Sequence, residues 1–209
     1  ILMAVKPDML LVYVDTNRTL AGALAAKKLI IPVSHVESGL RSFNMNMPEE
    51  INRILTDRIS DFLFCPTENA VLNLHKEGFQ NFGCNIIHVG DVMYDAALYY
   101  SSLSSERSDI IRQLGLREGH FAVCTIHRQE NTDDLNHLKS IIKALNQINQ
   151  YQKIVLPLHP RTRKIMETNN ITTGFPVIDP LGYFDMLELL KKCTLVLTDS
   201  GGMQKEAFF

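Results

Sequence analysis

The sequence lacks most of the features that settle a functional class quickly. It has no excess of charge: 21 Lys and Arg against 23 Asp and Glu leave a net charge of -2. That balance offers no bulk attraction to DNA, RNA or an anionic membrane, so an anionic ligand must be held by local donors. Cysteine is sparse. Cys65, Cys84, Cys124 and Cys193 form no C-x-x-C pair, and three of them sit in or beside apolar strand-like runs. Such residues read as reduced, structural thiols rather than a zinc site, which favours a reducing cytosol. No apolar stretch approaches the ~20 residues of a membrane span, and no signal peptide is visible. There is no low-complexity tract and no internal repeat. No G-x-G-x-x-G opens a helix, which argues against a nicotinamide-dependent dehydrogenase. An initiating Met is also absent: the chain opens at Ile1 on a helix-like tail and stops at Phe209, barely one turn into a new helix. The expectation is an internal fragment of a longer protein.

What is present is a repeated alternation of apolar strand-like runs with helical stretches. Strands are expected at residues 9–14, 32–36, 63–65 and 86–89, separated by helices at 20–29, 49–61 and 68–77. A helix over 92–100 then leads into Ser101-Ser102-Leu103-Ser104-Ser105, the most linker-like stretch of the chain. Beyond it the rhythm restarts. Strands are expected at 121–125, 154–158, 177–178 and 195–198, with helices at 108–114, 134–150, 161–167 and 183–192. Strands that are apolar throughout and alternate with helices imply a parallel sheet covered on both faces. The fold class expected is α/β, with two doubly wound domains spanning 1–103 and 104–209.

In open parallel sheets, ligands bind at the carboxyl ends of strands. The informative polar residues follow the apolar runs. After 195–198 comes Asp199-Ser200-Gly201-Gly202. Its glycines let a backbone approach a ligand, and the helix start aims free N–H groups at phosphate. Glu206, about one turn in, is placed to accept from ribose hydroxyls; the plain alternative is a Ser-capped turn. After 9–14 comes Asp15, either a carboxylate facing substrate or a helix cap. His35-Val36-Glu37-Ser38-Gly39-Leu40-Arg41 ends the next strand, and His35 and Glu37 share one side if that strand continues, an acid/base pair. Pro48-Glu49-Glu50 adds carboxylates at the same sheet end. His127-Arg128-Gln129-Glu130-Asn131 follows the first strand of the second half, and His159-Pro160-Arg161 the next.

Together these segments resemble the UDP-N-acetylglucosamine 2-epimerase family. The segments that carry the resemblance are Asp15-Thr16-Asn17, His35 to Arg41, Pro48-Glu49-Glu50-Ile51-Asn52-Arg53, His127 to Asn131 and Thr198 to Gly202, in order along the chain. The resemblance implies a GT-B arrangement of two Rossmann-like domains. It implies interconversion of UDP-GlcNAc and UDP-ManNAc by a homodimer, without metal or nicotinamide. It also implies the route: UDP is eliminated to a 2-acetamidoglucal and re-added after reprotonation at the other face of C2. By resemblance, Asp15, Glu37, Glu49 and His127 take the acid/base and electrostatic positions. Ser200, Gly201, Gly202 and Glu206 match the UDP-binding segment. Leu181 and Met186 fall where family members contact uracil, with Met186 replacing a common Phe. Arg128 and His159 match positions that touch a second, activating UDP-GlcNAc in bacterial non-hydrolysing members. The rival readings are a hydrolysing epimerase that releases ManNAc and UDP, a GT-B glycosyltransferase, and an inactive sugar-nucleotide-binding fragment.

Overall fold

The computed structural model describes Ile1–Phe209, the side chain of Gln129 excepted. Backbone contacts divide the chain into two compact units, Ile1–Val92 and Met93–Phe209.

The first unit runs α1 (Leu2–Val5), β1 (Leu10–Tyr13), α2 (Asn17–Lys28), β2 (Val33–Val36), α3 (Pro48–Ile59), β3 (Phe62–Cys65), α4 (Glu68–Lys76) and β4 (Asn85–His88). Its strands form one parallel sheet in the order β1-β2-β3-β4. Helix starts are set by local chemistry. Thr16 caps α2 by accepting from Thr19 N–H, Thr67 caps α4 by accepting from Ala70 N–H, and Pro48 opens α3. A proline costs nothing at a first helical position, where no N–H is needed. The apolar core is modest, with Leu63, Cys65, Ala70, Leu74 and Phe79 in one cluster and Val12, Ala23, Ala26 and Val33 in another.

The second unit contains α5 (Val92–Arg107), α6 (Ile110–Gln113), β5 (Phe121–Thr125), α7 (Gln129–Thr132), α8 (Leu135–Ile148), β6 (Lys153–Pro157), α9 (Pro160–Thr168), β7 (Val177–Ile178), α10 (Tyr183–Lys192), β8 (Leu195–Thr198) and α11 (Gly201–Phe208). Its parallel sheet has the order β7-β6-β5-β8. Residues alternate between faces along β5: Ala122 and Cys124 pack with Leu138, Ile142 and Leu145 of α8, while Phe121 and Val123 pack with Ile110 of α6 and Leu189 of α10. Both faces are covered, which is why the strand is apolar from Phe121 to Cys124.

The serine-rich stretch expected as a linker is helical instead, inside α5. Ser101, Ser102 and Ser104 turn their hydroxyls back onto the carbonyls of Leu98, Tyr99 and Ser101, at 3.1, 2.8 and 2.8 Å. Serines that satisfy themselves in this way tolerate a helix interior. Ser104 is also buried, donating to Glu188 Oε2 at 2.9 Å, so tertiary contact overrides the local preference. Among the described residues, no helix is long and apolar enough to cross a membrane.

Candidate functional site

Sheet order locates a crevice in the second unit. From β5 the chain winds outward through β6 to β7, then returns to place β8 on the other side of β5. The strand order therefore reverses between β5 and β8, and in doubly wound sheets the crevice at the strand carboxyl ends beside such a reversal is where ligands bind. The loops after β5 and β8 carry His127, Arg128, Ser200 and Gly201. Thr125 and Thr198, paired in register, join their hydroxyls at 2.6 Å just below the crevice.

Asp199 holds the crevice's walls together. Its carboxylate accepts from His127 N–H at 2.8 Å, Arg128 N–H at 3.0 Å and the Asn131 amide at 2.8 Å, while Arg128 Nε–H donates to the Asp199 carbonyl at 2.8 Å. Burial alone would push this carboxyl up. The Asn131 amide and the two N–H groups outweigh it and hold the group below the usual carboxylate range. Asp199 is thus a strut and no phosphate ligand. Nothing in the sequence marked this, because the strut depends on a partner loop about seventy residues away in the chain.

Ser200 caps α11 by accepting from Met203 N–H at 3.4 Å, so the plain reading of the turn holds locally. The N–H groups of the exposed Gly201 and Gly202 open the helix. Glu206 is half-buried, and burial raises its carboxyl above the ordinary range. His127 and Arg128 are exposed. His159 caps α9, with its Nδ1 accepting from Arg161 N–H at 3.3 Å. Leu181 and Met186 are partly buried against the Phe121–Leu189 cluster, where they help to pack the core.

In the first unit, α3 organises the strand ends. Asp15 is no helix cap, since Thr16 has that role. Its carboxylate instead pairs with Arg53 at 2.5 Å, and its carbonyl accepts from Asn52 at 2.9 Å. Arg53 also reaches Glu50 at 3.2 Å. Glu50 is fully buried and accepts from Ser42 and Phe43 N–H, each at 2.9 Å. Burial pushes its carboxyl up, but those N–H groups, the Ser42 hydroxyl and Arg53 bring it below the usual range. Its neighbour Glu49 is exposed in the first turn of the same helix. Adjacent glutamates thus face opposite ways, one structural and one open to solvent.

The expected pairing of His35 with Glu37 on one side of a continuing strand is not what forms. β2 ends at Val36, and Glu37 turns into left-handed backbone at φ 72. His35 is fully buried with both ring nitrogens engaged, by Asp57 at 2.6 Å and by the Val14 carbonyl at 2.9 Å. It is therefore unavailable as an acid or base. All four cysteines are free thiols. Burial pushes the Cys124 thiol up to about 12 and the Cys65 and Cys193 thiols upward as well, so these are not nucleophiles. Among the described residues, no group of three or more His, Cys, Asp or Glu is placed to hold a metal ion.

Two parallel-sheet units, one with its strand-order reversal at the loops bearing His127 and Ser200, define a doubly wound α/β protein of the Rossmann kind. The model of the family described as UDP-N-acetylglucosamine 2-epimerase matches residues 1–209, and the chain belongs to that family. It is 53% identical over 210 residues to the UDP-2,3-diacetamido-2,3-dideoxy-D-glucuronate 2-epimerase of Pseudomonas aeruginosa, covering 100% of this chain and 58% of the relative. It is 47% identical over 216 residues to the UDP-N-acetylglucosamine 2-epimerase homolog of Methanococcus maripaludis, covering 100% and 59%. The crystal structure of Methanocaldococcus jannaschii UDP-GlcNAc 2-epimerase in complex with UDP-GlcNAc and UDP superposes with a TM-score of 0.87 at 42% identity, covering 99% of this chain and 59% of that one. The chain thus spans somewhat under two thirds of the length of these relatives. The α/β, GT-B-type class read from the sequence stands.

Proposed function

We propose that the full-length protein containing this chain inverts C2 of a UDP-linked 2-acetamido sugar, interconverting UDP-GlcNAc and UDP-ManNAc. One observation carries the reading. The segments bearing Asp15, Glu37, His127 and Ser200 all fall at carboxyl ends of parallel strands, in a chain that lies wholly within the epimerase family match. A base takes the weakly acidic C2 proton, the C1–O bond breaks, and UDP departs with the electron pair as the C1–C2 double bond forms. Returning a proton to the other face of C2 and re-adding UDP completes the inversion. Such chemistry needs a base, a separate acid and donors for the departing diphosphate. Asp15, Glu37, Glu49 and His127 are assigned the acid/base and electrostatic work. Ser200, Gly201, Gly202 and Glu206 are assigned to UDP, Leu181 and Met186 to the uracil side, and Arg128 and His159 to an activating UDP-GlcNAc. The first domain is assigned to 1–103 and the second to 104–209. A homodimer working in the cytoplasm accompanies this reading, supported by the free thiols and the family resemblance.

A second substrate is favoured by one specific observation, the 53% identity to a protein named for UDP-2,3-diacetamido-2,3-dideoxy-D-glucuronate. Both substrates undergo the same C2 chemistry. Proton NMR of each with the full-length protein separates them: the true substrate yields its UDP-linked C2 epimer. Free ManNAc as the only sugar product would replace the reversible reading with a hydrolysing one.

A further inference from the structure

Two backbone outliers stand at two neighbouring strand ends of the first unit. Val14 has φ 56 and Glu37 φ 72. A β-branched residue in the left-handed region is rare and strained, so the surroundings must impose it. Each outlier sets a carboxylate of the proposed reaction: Val14 immediately precedes Asp15, and Glu37 is itself the outlier. Both are held by a single buried group.

That group is Asp57, in the last turns of α3, whose carboxylate has no exposure. One oxygen meets His35 Nδ1 at 2.6 Å; the other accepts from Gly39 N–H at 3.1 Å and from Arg41 Nη1 at 2.7 Å. Through its second ring nitrogen His35 holds the Val14 carbonyl at 2.9 Å. Arg41 is itself fixed by Glu77, at 2.6 and 2.9 Å. Asp57 thus anchors both sides of Glu37, His35 before it and Gly39 after it. Gly39 must be glycine here, because its φ is 78 and a Cβ would lie 2.5 Å from the Ala70 carbonyl oxygen. About one turn earlier the same helix grips Asp15 through Asn52 and Arg53.

We infer that Asp57 is a positioning residue for the C2 chemistry: through His35 and Val14 it sets Asp15, and through His35, Gly39 and Arg41 it sets Glu37. The inference rests on the epimerase reading above. Burial this complete, with every oxygen engaged, gives the carboxylate no route to substrate, so its effect is on geometry. A displacement near 1 Å at a reacting group can lower turnover about a hundredfold.

The test uses three variants of the full-length protein, with kcat, KM and backbone hydrogen exchange measured for each. Asp57→Asn can keep all three contacts, its amide facing His35 Nδ1 and its oxygen facing Gly39 and Arg41. It should stay within about threefold of the parent kcat. His35→Asn keeps a donor for Asp57 but loses the Val14 contact. It should lose exchange protection at 14–15 alone, with kcat down at least about tenfold and KM little changed. Asp57→Ala should lose protection at 14–15 and 37–41 and lower kcat further. The inference is overturned if His35→Asn or Asp57→Ala turns over at the parent rate. It is equally overturned if protection is lost throughout the first unit, which marks a general stability role. A parent protein that fails to epimerise would overturn the epimerase reading only, and the exchange pattern would still decide whether Asp57 holds these two loops.

Discussion

The two units fix their strand ends by different means. In the first, charges inside the fold do the work. Asp57, His35, Arg41, Glu50 and Arg53 are buried or nearly so, and together with Asp15 and Glu77 they tie the ends of β1 and β2 to α3 and to the end of α4. In the second, a continuous apolar core reaches both faces of the sheet, and one carboxylate, Asp199, bridges the loops at its ligand end. The difference follows from how much apolar surface each unit buries. A small core leaves loop positions to hydrogen bonds, which are directional. A larger core holds the strands by packing and leaves only the crevice to be adjusted. Buried ionic networks add little net stability against an apolar replacement, yet breaking one partner leaves the others uncompensated. The first unit should therefore be the more sensitive to polar substitution, and the second to cavities.

The largest expected effect breaks the second unit's packing. Leu156 is fully buried in β6, in the cluster with Ala122, Leu138 and Ile142. Leu156→Ala should lower stability by about 2–5 kcal/mol through lost burial and a residual cavity. Urea unfolding monitored by hydrogen exchange would place that loss in Met93–Phe209; a loss under about 1 kcal/mol would mean the core is not what holds this unit.

An intermediate effect probes a buried charged lock in the second unit. Glu188 is 2% exposed. Burial pushes its carboxyl up, but Lys192 at 2.9 Å, Ser104 at 2.9 Å and Lys191 at 3.2 Å outweigh that and hold it down to about 2, against an ordinary 4.5. A carboxylate depressed in the folded state contributes stability that is present above its unfolded pKa and lost as pH falls towards its folded one. The parent should therefore lose about 2 kcal/mol from this group on acidification, discounted for the partly exposed lysines. Its Glu188→Gln variant should lack that step below pH 4.5. Parallel pH–stability curves would remove Glu188 from the account.

The smallest effect concerns the strut. Asp199→Asn puts an amide against one of the N–H groups of His127 or Arg128 and should cost about 1–2 kcal/mol. Its larger consequence should be weaker UDP binding, measured by calorimetry, because the crevice walls lose their register. Unchanged UDP affinity would mean that packing alone sets the crevice.

Much of the fold was legible because it rests on local pattern. The apolar run at 121–124 marked a strand covered on both faces, and Thr67 marked the start of α4. The serine run was misleading, since its helix depends on Glu188 and Lys191, more than eighty residues away in the chain. Among the residues proposed for the site, the place of Asp15, Glu37 and Ser200 after strands was legible. Asp57 was not: a lone Asp late in a polar helix reads as a solvated face, and only folding shows it buried beneath the loops after β1 and β2. Asp199 stood in the motif, but its partners stood elsewhere.

The most direct test of the account runs the full-length protein with UDP-GlcNAc in deuterated water and follows C2 by NMR. Deuterium at C2 in both UDP-GlcNAc and a newly formed UDP-ManNAc is the predicted result. A newly formed UDP-ManNAc that keeps its C2 proton would contradict it.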